Sequence, residues 1–317
     1  MKNHIKKAAI FLVATLIIYG FLLIIINGKI INNYQIQIIN YLGINIILAL
    51  SLNLIIGFTG QLALGHAGFM SIGAYTAAVC TVNFHLPFFL ALLCAGMVSA
   101  IFGFLIGLPT LRLKGDYLAI TTLGFGQIIQ VVITNIDYLG GARGFVGIPP
   151  KTDFTWVFFS VLITFVVIYN IVHSSRGRAM LSIREDEIAS EAMGINTTKY
   201  KIEAFIVAAF FAGVAGGLFA HLYMFIDPTS FGFLKSVEIV TFVVLGGMGS
   251  LSGCILSTGV LTVLPEALRT FSDYRMVFYS ILLIVIMIFR PQGLMGTKEL
   301  SFKFIKKKIE GDKGAIT

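Results

Sequence analysis

Long apolar runs separated by short polar connectors make up most of this chain. Runs long enough to form membrane-crossing helices cover residues 8–26, 36–56, 62–82, 88–108, 118–136, 154–172, 202–225 and 276–290. Each comes close to the roughly 20 apolar residues that a helix needs to cross a hydrocarbon core about 30 Å thick. Region 238–268 is also apolar, but "GGMGSLSG" (Gly246 to Gly253) interrupts it, and this predicts two short spans or a re-entrant pair. The pattern predicts an all-α integral membrane protein: a polytopic helical bundle of about 8–10 transmembrane segments with broken or re-entrant helices. Lys2, Lys6 and Lys7 precede the first run and no A-x-A-like site follows it, so residues 1–35 read as a retained signal-anchor helix and loop. Residues 36–297 form the transmembrane domain and 298–317 a basic tail.

Composition agrees. Hydrophobic residues are 57% and charged residues 12%, with a mean hydropathy of +0.92; soluble domains carry about twice that charge fraction. The formal charge of +8 is no nucleic-acid signal, because the lysines and arginines sit at the ends of apolar runs. With the N-terminus inside, the inner segments hold 17 of the 23 Lys and Arg residues and the outer ones 6, which predicts cytoplasmic termini and an even number of crossings. Cys80, Cys94 and Cys254 lie in apolar segments without metal-ligand spacing.

One stretch breaks the oily pattern. "SIREDEIASEAMGIN" (Ser182 to Asn196) lies in an inner connector. Ser182 and Glu185 have capping-box spacing, Glu185, Asp186 and Glu187 suit a helix N-terminus, and Gly194 suits a left-handed C-terminal cap. The spacing predicts one short helix over 183–193. Ile188, Ala189, Ala192 and Met193 would form a small apolar face suited to a groove on a soluble partner.

This segment, with "EAMGI" at Glu191 to Ile195, resembles the coupling segment of the branched-chain amino acid ABC transporter permease family, LivM type. "GFTGQLALGHAGFMSIGAY" (Gly57 to Tyr75), "DYLAITTLGFGQI" (Asp116 to Ile128), "GGARGFVGIP" (Gly140 to Pro149), "VVLGGMGSLSG" (Val243 to Gly253) and "RPQGLMG" (Arg290 to Gly296) are similar to family blocks in the same order. The resemblance covers about residues 40–297. It departs at Ser190, where the family often has Ala, and at Arg143, where a small or amide residue is common.

The resemblance implies an importer permease for leucine, isoleucine and valine in the bacterial cytoplasmic (inner) membrane. It implies a second homologous permease, two ABC ATPase subunits and an extracytoplasmic substrate-binding protein, with ATP and Mg held by the ATPases. Its coupling residues map to Arg184, Glu185, Asp186, Glu187, Glu191, Ala192, Met193 and Gly194. The chain has no G-x-x-x-x-G-K-[ST] of its own, and neither a catalytic constellation nor a cofactor is expected in it. A urea or short-chain amide permease would carry the same motifs. An ion-coupled secondary carrier, the reading from another class, would want a buried carboxylate relay; the middles of the predicted spans hold no Asp, Glu, Lys or Arg.

Two Gly-rich breaks, 57–68 and 246–254, suggest unwound helix lining a substrate path. Gly57, Gly60, Gln61, His66, Ser71 and Tyr75 around the first, and Gly246, Gly247, Gly249 and Ser250 in the second, are the pathway candidates. His66 reads first as a hydrogen-bonded structural histidine, since no second metal ligand lies nearby. The G-x-x-x-G pairs Gly103/Gly107 and Gly213/Gly217 suit close helix packing.

Overall fold

A computed structural model describes residues 32–296 apart from 112, 114, 272–274 and 291–292, with a few isolated positions between 15 and 28. The signal-anchor run 8–26 and the tail 298–317 otherwise lie outside the described residues. The helices are α1 (Asn33–Asn53), α2 (His66–Val82), α3 (Phe88–Thr110), α4 (Asp116–Thr134), α5 (Phe154–Val172), α6 (Ser175–Glu185), α7 (Glu187–Ala192), α8 (Thr197–Tyr223), α9 (Phe233–Gly246), α10 (Leu251–Ala267) and α11 (Arg275–Phe289). Among the described residues, six helical stretches are long and apolar enough to cross a membrane: Asn33–Phe58, Phe88–Thr110, Asp116–Thr134, Phe154–Val172, Thr197–Tyr223 and Pro228–Gly246.

The expected helical bundle is present, and the break in 238–268 falls where the glycines stand, between α9 and α10. The helix before the break starts earlier than its apolar run. It begins at Phe233 and takes Lys235 and Glu238 into a candidate span, because the side chains of α1 give the ammonium partners there.

Small residues set the centre of the bundle. α8 packs against α1, α2 and α3. A Cβ on Gly213 would press on Ser99 and Ala95 of α3, one on Gly216 would strike Met70 of α2, and one on Gly103 would reach Ala209 of α8. The G-x-x-x-G pairs therefore do let helix axes approach closely. At the end of the bundle away from α6 and α7, Phe145 and Ile226 exchange backbone hydrogen bonds at 2.8 and 3.2 Å, tying the connector before α5 to the one after α8.

Candidate functional site

α1 does not end in an ordinary α-turn. Leu54–Phe58 widens into a π-turn, a feature common at functional sites, and presents the Gly57 carbonyl to the side. Arg184, near the C-terminus of α6, donates from Nη1 to that oxygen at 2.6 Å. Gly60, at φ +71°, lies against the Arg184 side chain.

The second break meets the first at the same point. Asn53, fully buried at the end of α1, accepts at Oδ1 from the Gly249 N–H (3.0 Å) and donates from Nδ2 to the Ser250 carbonyl (3.2 Å). A Cβ on Gly57 would collide with the Gly249 backbone and with Asn53 Oδ1, and a Cβ on Gly249 would press on Arg184 Nη1. Gly249 has φ +90° and Gly247 φ +103°, a region that favours glycine. Ser250 caps α10, its Oγ accepting from the Gly253 N–H at 3.1 Å. Gly246 packs on Cys254 and Ser257 of α10. The end of the described chain closes the joint: the Leu294 N–H donates to the Leu245 carbonyl at 2.7 Å, and the backbones of Gly293 and Gly296 lie against Gly247.

Four motifs far apart in sequence thus converge on one joint. An open cavity of about 230 Å³ lies beside it, lined in part by Thr59, Gly60, Gln61, Arg184, Asp186 and Lys201.

The expected single helix over 183–193 is corrected. Ser182 does not cap it; α6 begins eight residues before Ile183, capped by Ser174, because Met180 and Ile183 are drawn into the core. The chain breaks at Asp186, extended at φ −155° and ψ 110°, and Asp186 is the cap that α7 uses, accepting from the Ala189 N–H at 3.0 Å. Ser182 instead meets Ser190 across the break, hydroxyl to hydroxyl at 3.0 Å. Gly194 stands at φ +83°, the left-handed position expected of it.

α7 is held to α8 at both its ends. Lys201 Nζ lies 2.7 Å from the Glu187 carboxylate, with the lysine side chain 5% exposed. Thr197 Oγ1 donates to Glu191 Oε1 at 2.7 Å. Glu185 pairs with its neighbour Arg184 at 3.5 Å but is exposed. What remains free is apolar: Ile188 is 73% and Met193 82% exposed, and Ala189 and Ala192 are exposed beside them.

The remaining candidates are His66, Ser71, Tyr75 and Gln61. His66 opens α2, and its Nε2 is 2.9 Å from Ser51 Oγ, which also lies 2.9 Å from the Leu48 carbonyl. Ser71 and Tyr75 lie one turn apart on α2, buried, and their hydroxyls have no partner among the described residues. Gln61 Nε2 is likewise unpaired. Among the described residues no group of His, Cys, Asp and Glu could hold a metal ion. Asn53 and Lys201 escaped sequence reasoning, because a single Asn in an apolar run and a Lys at a helix start carry no local signal of their partners.

The family model described as branched-chain amino acid transport system / permease component matches residues 34–289. The chain belongs to that family. It is 38% identical over 277 residues to the high-affinity branched-chain amino acid transport system permease protein LivM of Salmonella typhimurium, covering 76% of this chain and 65% of that protein. The LivM protein of Escherichia coli is 36% identical over the same shares. The chain thus spans just under two thirds of the length of these relatives. LivH of Escherichia coli, also named a high-affinity branched-chain amino acid transport system permease protein, is 33% identical over 131 residues, or 40% of this chain and 42% of that protein. The permease family membership fits a chain whose helices are apolar, long and closely packed.

Proposed function

We propose that this chain is the membrane-spanning subunit of an ATP-driven importer of leucine, isoleucine and valine. The observation that carries the mechanism is the joint at Gly57, Arg184 and Gly249. The exposed apolar tip of α7 docks in a groove of an ATPase subunit on the cytoplasmic side. Motion of that tip passes through the rigid Glu187–Lys201 and Glu191–Thr197 contacts and through Arg184. It reaches the ends of α1 and α9 at once, because Arg184 holds Gly57 and Asn53 holds Gly249. Both Gly-rich breaks can then move as one unit.

In this reading two ATPase subunits supply the energy and hold ATP and Mg. A second, related permease completes the membrane portion, and an extracytoplasmic binding protein delivers the amino acid. The names of the LivM and LivH relatives support the substrate class, and LivH supports a related second permease. Both termini lie in the cytoplasm, as the charge distribution supports.

The test is reconstitution of the co-expressed complex in vesicles with leucine-loaded binding protein outside and ATP inside. Leucine accumulation that requires ATP is the expected result. Accumulation driven by an ion gradient without ATPase subunits would overturn the proposal in favour of a secondary carrier.

A further inference from the structure

Away from the joint, a second polar cluster lies inside the bundle. Lys235 is on α9, three turns from Gly246, which places it about 16 Å along the helix from the joint. Its ammonium donates to Tyr41 Oη (2.9 Å), Asn45 Oδ1 (3.1 Å) and Glu238 Oε2 (3.0 Å). Asn45 is fully buried and donates onward from Nδ2 to Thr262 Oγ1 of α10 at 3.3 Å. All three ammonium donors are used, so Lys235 is a fixed part and has no proton left for a ligand.

Glu238 differs. Only one of its oxygens is held, Oε1 having no hydrogen-bond partner among the described residues. Its side chain is 35% exposed, against 9% for Lys235. A carboxylate that emerges from a membrane-spanning helix faces a water-filled path or protein, because hydrocarbon excludes charge. Aromatic surface stands beside it. Tyr41 has Lys235 Nζ 5.0 Å from its ring centre, and Tyr223 meets Tyr41 edge-on at 6.1 Å. Phe219 lies tilted against Tyr223 with ring centres 4.7 Å apart, and Tyr223 is 39% exposed. A half-free carboxylate next to aromatic rings offers what an alkyl ammonium with an aliphatic side chain requires: an acceptor, and apolar faces for the rest.

We propose that Glu238 recognises the ammonium group of an aliphatic amino acid in transit, with Lys235 positioning the carboxylate and Tyr41 and Tyr223 walling the side chain. The site rests on the import reading above and names where, within that path, the substrate is read. Because Lys235 is saturated, the substrate's carboxylate is not read here, so an amine without a carboxylate should bind as well as the amino acid.

The experiment uses the whole reconstituted complex carrying Leu234→Cys, one turn from Glu238 and 81% exposed. Reaction with a water-soluble maleimide is followed against the parent complex, whose own cysteines set the background. Leucine and leucinol should slow labelling roughly tenfold at about ten times Kd, and 4-methylpentanoate, which lacks the amine, should not. Adding Glu238→Gln should abolish protection while the complex still assembles. Any other pattern, including no labelling at all, overturns the site. ATP-driven leucine uptake by the unaltered complex is measured in parallel. If uptake persists while protection fails, the subsite falls and the import reading stands. If the unaltered complex shows no uptake, the import reading itself falls.

Discussion

Arg184 and Gly57 are 127 residues apart and are joined by one hydrogen bond of 2.6 Å from a guanidinium to a backbone carbonyl. The bond exists because Gly57 stands in the last turn of the helix, where carbonyls have no intrahelical partner, and because α6 carries Arg184 to it. A charged donor on an exposed carbonyl contributes about 1.5–3 kcal/mol. It is the only hydrogen bond described between the Arg184 guanidinium and the end of α1, so it ties α6 directly to the first Gly-rich break.

Arg184→Ala should therefore uncouple the machine without dismantling it. ATP hydrolysis by the assembled complex continues, and leucine moved per ATP drops by roughly ten- to a hundred-fold, the equivalent of the lost bond. Arg184→Lys keeps the charge but not the fork, and should retain part of the transport. The measurement is the ratio of uptake to phosphate release in the same vesicles. An unchanged ratio in Arg184→Ala would show that the bond carries no motion.

Gly249→Ala should be costly and Gly259→Ala harmless. Gly249 has a positive φ and backs onto Arg184 and the Gly57 backbone, whereas a Cβ on Gly259 meets open space. The left-handed conformation alone costs a non-glycine residue about 1–2 kcal/mol, and the collision adds to it. Gly259, inside α10, would if anything gain helix propensity, up to about 1 kcal/mol. Thermal unfolding in detergent should separate the two; equal midpoints would refute the close approach.

Asn53→Asp tests the contact between the two breaks. It keeps the acceptor for the Gly249 N–H but turns the Ser250 carbonyl's donor into a second acceptor. The Ser250 carbonyl keeps the Cys254 N–H at 3.2 Å, but a carboxylate oxygen now faces it, and a buried charge set against an acceptor costs more than the lost hydrogen bond. The expected outcome is a lowered unfolding midpoint, with Asn53→Ala milder than Asn53→Asp. The reverse order would mean that the carboxylate finds a donor of its own within the joint.

Ile188→Glu with Met193→Lys should leave the permease folded and inserted and abolish co-purification of ATPase subunits. Both side chains are largely exposed and neither supports the core, so stability should change by no more than about 0.5 kcal/mol. ATPase subunits retained at the parent level would place the docking surface elsewhere.

The run lengths, the positive charge at their ends and the two Gly-rich interruptions determined an all-helical membrane bundle, since hydrophobic length is a local property that a chain displays without any neighbour. They also marked the unusual segments: Gly57–Tyr75, Ser182–Asn196, Val243–Gly253 and Arg290–Gly296. That these meet at one joint was a matter for tertiary structure, because a carbonyl at a helix end and a guanidinium 127 residues later share no periodicity. The same holds for Asn53 and Lys235: a polar side chain in an apolar run shows its cost in the sequence, but only packing shows which groups on other helices satisfy it. Local competition decided the helix ends as well. Ser182 and Asp186 are both capable caps, and burial of Met180 and Ile183 gave the role to Asp186.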